Sequence, residues 1–261
     1  MNDRRTTPDP ELIELDELAQ VTVAVADINC RPDGPRDRQL LFGDRVTILN
    51  RKESVALVRS SKDGYCGWVL ASALGDVTPA THRVTARSTH AYSKPDIKSP
   101  ERISLSFGSI LTATDETPTF IKTNWGFIPR QHVHTADTMA IDPAAVAEVF
   151  LGTPYLWGGN STFGIDCSGL LQAACLSCGI PCAGDTDQQE NTVGTALPEG
   201  SPLNRNDVIF WKGHVAVICD AKTIIHANAG HMATVFEPIS DAIARIEAQG
   251  DGLPTGYRRL L

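Results

Sequence analysis

The sequence predicts an α+β chain in which two small all-β units precede a unit with helices first and an antiparallel sheet last. Two observations carry that expectation. Residues 21–75 and 83–134 form a weak internal repeat: VADINCRPD, LFGDRVTIL and GYCGWVLASAL recur in order as STHAYSKPD, SFGSILTAT and NWGFIPRQHV. The pattern then changes. From Pro143 an apolar helical run, a Gly-rich loop and a second helix from about Cys167 to Cys178 lead into the runs DVIFW, HVAVIC and TIIHAN. That order of helices and then strands is the α+β arrangement.

The elements can be justified in order. Residues 1–19 read as an N-terminal segment with two arginines but no uninterrupted apolar core or small-residue cleavage site, so the expectation is an unexported, cytoplasmic protein. Residues 20–76 and 80–136 each hold short β-branched runs bounded by Gly, Pro and Asp, without helical periodicity. Each suits a barrel of about five short strands. The LFG turn and GWV strand of the first unit resemble the bacterial SH3 (SH3b) family, and by repetition the second unit resembles it too. A short connection follows, and Pro143 sits well in the first turn of a helix that opens a third domain, residues 140–261.

Composition excludes several classes. The 261-residue chain has 23 Lys and Arg against 31 Asp and Glu, a formal charge of -8, and no clustered basic surface to neutralise phosphates, so nucleic acid is not expected as a partner. No apolar run approaches membrane-spanning length. Seven cysteines, an odd number, suit free thiols better than a disulfide framework. Cys175, Cys178 and Cys182 in CLSCGIPC look at first like a metal or redox motif. Two lie on the predicted helix and no fourth ligand is near, so they read as packed thiols, with no metal and no cofactor expected.

The chemistry concentrates in PYLWGGNSTFGIDCSGL, residues 154–170. Cys167 stands at a helix start, where the partial positive charge favours a thiolate, and Asp166 is a plausible N-cap. On this segment alone, a nucleophile and a small packed residue are balanced readings. A thiol nucleophile needs a base and a group to orient it. His214 and His226 open and close neighbouring strands, and a tight reversal around Asp220 would pair positions summing to 440, setting the two histidines directly opposite. A one-residue slip would send them to opposite faces. A zinc site of Cys and two His is a further reading. His82, His90, His132, His134 and His231 show no such pairing and read as surface or loop residues. Trp157 and Phe163 read as packing mass for the loop, and Gly158 and Gly159 as backbone devices.

Taken together, PYLWGGNSTFGIDCSGL, GHVAVICD and IIHAN resemble the NlpC/P60 family of papain-like cysteine peptidases, which cleave bacterial cell-wall peptides; the likeness covers residues from about 143 to 261. The resemblance implies that Cys167 is the nucleophile, His214 the general base, His226 the residue that orients it, and Tyr155 a hydroxyl beside the oxyanion. Two SH3-like units ahead of this domain resemble the subgroup that cuts between γ-D-Glu and a diamino acid in murein (peptidoglycan) peptides with a free N-terminal L-Ala. That resemblance implies recognition of the amine by Asp185 and Thr186, although Gly184 stands where the family has Arg. It further implies help from Tyr65 and Asp44 of the first SH3-like unit, and places Ser168 and its neighbour Asp166 beside the peptide. Another amidase or acyltransferase on the same Cys/His/His site, or a non-catalytic wall-peptide binding protein, stays open at this point.

Overall fold

Alternation along the N-terminal strands sets which side chains turn inward. Val46 and Ile48 of Arg45–Lys52 face Ser60 and Val58 of Val55–Ser60 across an antiparallel ladder, and the inward set meets Ala26, Ile28 and Leu40 in one apolar cluster. In the computed structural model, which describes residues 3–198 and 200–261, the chain divides into two compact units, Met1–Thr138 and Met139–Leu261. The first two residues of the expected N-terminal segment lie outside the described residues. No helix among the described residues is long and apolar enough to cross a membrane.

The N-terminal unit is richer in strands than the sequence suggested. Its first sheet has seven, in the order Arg36–Leu41, Val25–Asn29, Cys66–Leu70, Val55–Ser60, Arg45–Lys52, Glu17–Val21 and Leu74–Gly75. Residues 17–19, expected in a separate N-terminal segment, thus belong to a strand that pairs with Arg45–Lys52. The second half splits into a five-stranded and a three-stranded sheet around its own cluster of Val84, Ala91, Leu105, Ile121 and Ile128. The repeat is visible in geometry. Val25–Asn29 lies between Arg36–Leu41 and Cys66–Leu70 as Ser88–Tyr92 lies between Glu101–Ser106 and Gly126–Pro129. The two LFG/SFG turns place Gly43 and Gly108 at φ 81° and 86°, a left-handed conformation that favours glycine. At Gly43 a Cβ would also fall 2.2 Å from the Ile110 carbonyl oxygen.

Two histidines depart from the surface reading. His82 is buried on His82–Val84 with Nε2 3.2 Å from the Glu116 carboxylate, and half-buried His132 shares a 2.8 Å hydrogen bond with Thr89. Strand alternation turned His82 inward, a choice that isolated residues do not reveal. His90 and His134 are exposed.

In the C-terminal unit, helix α1 spans Pro143–Glu148, capped by Asp142, whose Oδ1 accepts from the Ala145 N–H. Helix α2 spans Cys167–Ser177 and is buried along almost its whole length, as expected for a helix apolar on every side. It packs on α1 and on strands His214–Ile218 and Thr223–Asn228. Helix α3, Thr186–Thr192, follows. The sheet then runs Thr195–Ala196, Gly256–Arg259, Asp207–Trp211, His214–Ile218, Thr223–Asn228 and Ala233–Pro238. Sequence reading missed helix α4, Ile239–Ala248, and the closing strand Gly256–Arg259. Ala242 and Ile246 of α4 join Ile209, Trp211, Ala216, Ile218 and Ile224 in an apolar cluster. By strand alternation these sheet residues share one face with His214 and His226.

Candidate functional site

Asp166 builds the start of α2. Its Oδ1 accepts from the Gly169 N–H at 2.7 Å and from the Ser168 hydroxyl at 3.0 Å, and its Oδ2 accepts from the Gly158 N–H at 2.9 Å. One carboxylate therefore caps the helix and ties the Gly-rich loop to it. Loop and helix approach closely: a Cβ on Gly169 would lie 2.4 Å from the Gly159 carbonyl oxygen, and one on Gly159 would lie 2.5 Å from that of Gly164. Gly158 has φ 69°. Trp157 and Phe163, read as packing residues, are instead exposed, because the loop closes through backbone contacts and Leu156 rather than through its largest rings.

Cys167 opens α2 with its thiol 3.8 Å from the Thr186 hydroxyl and 4.0 Å from the Gly213 carbonyl oxygen. The sulfur is thus set beside the Gly213–His214 step. Tyr155, Cys167, Gly213, His214, Asn228 and Arg245 line one cavity of about 210 Å³. A larger groove of about 720 Å³ is lined by residues including Leu203, Ile243, Leu253 and Tyr257 and, among the described residues, holds no Cys, His or carboxylate in its wall; size alone does not locate chemistry.

The histidine register differs from the expectation. Val217 pairs with Ile225 and Ile218 with Ile224, so partners sum to 442 and His214 and His226 are diagonal rather than opposite. A slip of two residues preserves the face, and diagonal imidazoles still reach each other. His214 Nε2 lies 2.9 Å from His226 Nδ1. His226 is fully buried, and its Nε2 lies 2.9 Å from Glu237 Oε2. The Arg245 guanidinium donates to both oxygens of Glu237, at 2.9 and 2.7 Å.

Burial governs the protons. It pushes the Cys167 thiol up to about 12, helped by the Asp166 carboxylate, while Thr186 and the backbone N–H groups of Val215 and Ser168 pull the other way. Burial also holds His214 down to about 3 and His226 down to about 4, with Glu237 opposing the shift in each case. In this enclosed site burial outweighs the pull of the helix start, so the resting pair is thiol and imidazole rather than the stabilised thiolate expected from the sequence. Burial, with Cys167 and Asp166 nearby, raises the Tyr155 phenol as well, keeping it a donor.

The buried imidazole of His226 predicts acid sensitivity. Above the ordinary imidazole value of 6.5 both states leave His226 neutral; below it the unfolded chain takes up a proton that the folded chain refuses until about 4. Stability is therefore present in full above pH 6.5 and falls as pH drops toward 4, by about 3 kcal/mol for His226. Urea unfolding at pH 7.5, 6 and 5 should show the midpoint falling, and His226→Asn should flatten that step. Equal midpoints at pH 7.5 and 5 in the parent would contradict it.

The remaining expected site residues fall into two groups. Thr186 is buried beside the thiol, Ser168 is buried with its hydroxyl turned to Asp166, and half-buried Asp185 precedes α3. Tyr65 and Asp44 lie in the N-terminal unit. There Tyr65 is core, with Arg38 over its ring at 5.6 Å, and Asp44 closes its turn by accepting from the Leu41 N–H at 2.9 Å and pairing with Lys62 at 2.6 Å. All seven cysteines are free; Cys175 and Cys182 are buried and hydrogen-bonded to each other. Sequence reading missed Glu237, Arg245 and fully buried Gln189, whose amide donates to the carbonyls of Ser168 and Ala183. It also set His231 apart, yet His226, His231 and Glu237 bring ligand atoms within 4.8 Å of one another. The Arg245 guanidinium already occupies both oxygens of Glu237 and would repel a second cation beside it, so this trio is a poor metal site.

Comparison with known proteins places two families along the chain. Residues 152–244 match the NlpC/P60 family, and residues 29–74 match the bacterial dipeptidyl-peptidase SH3 domain. The chain carries an NlpC/P60 domain. The matched span contains Tyr155, Cys167, His214, His226 and Glu237. The chain is 27% identical over 248 residues to Dipeptidyl-peptidase 6 of Lysinibacillus sphaericus, covering 81% of this chain and 88% of that protein. It is 25% identical over 238 residues to a Gamma-D-glutamyl-L-lysine dipeptidyl-peptidase of Bacillus cereus, covering 78% and 71%. A crystal structure of an NlpC/P60 family protein from Bacillus cereus shares the fold, with a TM-score of 0.78 and 22% identity over 94% of this chain and 100% of that one.

Proposed function

We propose that this chain is a cysteine peptidase that hydrolyses the γ-D-Glu to diamino acid bond of murein peptides with an unblocked N-terminal L-Ala. The observation that carries the chemistry is the thiol of Cys167 beside the Gly213–His214 step, with His214 backed by His226. The bond assigned is supported by the printed names of the two relatives, one a Dipeptidyl-peptidase 6 and one a Gamma-D-glutamyl-L-lysine dipeptidyl-peptidase.

In this reading the Cys167 proton passes to His214 as the sulfur attacks the amide carbonyl. The Cys167 backbone N–H and the Tyr155 hydroxyl stabilise the oxyanion, and the His214 imidazolium gives its proton to the leaving amine. Water, deprotonated by His214, then releases the acyl group and restores the thiol. Asp185, at the start of α3 beside Thr186, supplies the carboxylate for the L-Ala ammonium, because a buried ammonium needs a compensating charge. The amine of L-Ala is free only in peptides released from the glycan, so the reaction belongs to wall-peptide recycling, in the cytoplasm. The repeat in the N-terminal unit supports a second SH3-like barrel at residues 80–136, after the first at 20–76.

The test is incubation of the full chain with L-Ala-γ-D-Glu-diamino acid peptide and with its N-acetylated form, followed by mass analysis. L-Ala-D-Glu should be released from the free peptide on the order of 10²-fold faster, since acetylation leaves the amine-binding carboxylate unpaired. Equal rates would remove the amine requirement, and cleavage at another amide would overturn the bond assignment.

A further inference from the structure

His226 is the one member of the Cys/His/His set that has no direct part in bond making, and its far nitrogen is aimed at a residue of the next strand. His226 pairs with Val235 and Ile224 with Glu237, so Glu237 lies diagonally across from His226 on the same sheet face. His214, His226 and Glu237 thus form a line across three adjacent strands, joined by two contacts of 2.9 Å each. Arg245 of α4 covers its end.

Hydrogen-bond valence fixes the direction of this line. The Arg245 guanidinium holds the Glu237 carboxyl below the usual carboxylate range, so Glu237 is ionised and can only accept. His226 must therefore carry its proton on Nε2. Neutral His226 then presents a bare Nδ1, which can only accept, so His214 must carry its proton on Nε2. The only lone pair left on His214 is Nδ1.

We propose, resting on the peptidase reading above, that Glu237 is a positioning residue whose carboxylate sets the tautomers of His226 and His214 in sequence, leaving Nδ1 of His214 as the base for the thiol. When His214 takes the thiol proton, its charge spreads through Nε2–H to His226 and is opposed by the anion at the end of the line. Arg245 holds that anion in place by a two-point contact, which a lysine would not reproduce. Glu237 is not among the residues that line the cavity of Cys167 and His214. The charged and titratable groups facing the line are Arg245 from α4 and His231 from the hairpin end, with Tyr155, Cys167, Lys212 and Asp251 around the His214 side of the cavity.

The experiment uses the full chain labelled with ¹⁵N-histidine, comparing the parent with Glu237→Gln and Glu237→Asp. In the parent, His214 should show a protonated Nε2 and a bare Nδ1 at pH 7.5. Glu237→Gln should mix the tautomers of both histidines and lower kcat roughly 10²-fold with little change in KM. It should also move the acid limb of kcat/KM to lower pH, because the anion that favours imidazolium is gone. Glu237→Asp, which keeps the charge, should restore part of the rate. An unchanged tautomer and acid limb in Glu237→Gln, with any rate loss matching a loss of folded protein, would overturn the proposal. Full turnover in His214→Ala would instead overturn the peptidase reading beneath it.

Discussion

Cys167→Ala should lower hydrolysis of the L-Ala-γ-D-Glu-diamino acid peptide by at least about 10⁴-fold, as loss of a nucleophile does in acyl transfer. Peptide binding should persist, because the cavity wall contributed by Tyr155, Asn228 and Arg245 is untouched. Folding should persist as well. The thiol is buried, but its contacts with the Thr186 hydroxyl and the Gly213 carbonyl are long, at 3.8 and 4.0 Å, so alanine loses only a little packing there. Single-turnover assays with calorimetric binding would separate the two effects. Turnover within tenfold of the parent would mean that another group attacks the carbonyl, or that the observed reaction does not pass through this cavity.

Asp166→Ala should be the most damaging single change to the local architecture. Loss of the cap to Gly169 costs about 1 kcal/mol, and leaving the buried Gly158 N–H without its acceptor costs about 1–3 kcal/mol more. A total of about 2–4 kcal/mol should appear in the urea midpoint, with turnover falling further because the helix start that places the thiol loosens. Asp166→Asn keeps one acceptor oxygen for Gly169 and should lose less. If Asp166→Ala unfolds at the parent midpoint, the carboxylate is not what joins the loop to α2.

These two changes touch the part of the site that was most readable in the sequence. The Asp-Cys step, the glycines before it and Pro143 at the start of α1 depend on neighbours a few residues away, and capping and turn chemistry act over that range. The histidines were legible as a pair on adjacent strands, but not in register. The reversal is centred one residue later than the expected Asp220, which moves every cross-strand partner by two: Cys219 N–H and Asp220 N–H both donate to the Thr223 carbonyl, and Lys222 N–H bonds the Asp220 side chain. The pair therefore meets on a diagonal.

Glu237 and Arg245 left no comparable mark. A glutamate near the end of a strand and an arginine on an amphipathic helix are ordinary surface patterns, and nothing local distinguishes a carboxylate that accepts from a buried imidazole. The same holds for Gln189, and for His82, which alternation carried into the core. Tyr65 and Asp44 show the opposite case. Each matched a motif, and each also has a structural role inside the N-terminal unit that the motif did not reveal, one as core and the other as a turn with its own lysine.

By itself the sequence determined the order of β units and helical unit, the repeat with its aligned turns at Gly43 and Gly108, and the helix start that carries Cys167. Tertiary structure alone decided the diagonal register of His214 and His226, the carboxylate behind them, and the burial that keeps thiol and imidazole neutral. The division has a physical cause. Caps, turns and propensities are short-range along the chain, whereas register, desolvation and a line of hydrogen bonds across three strands arise only when distant segments share one face.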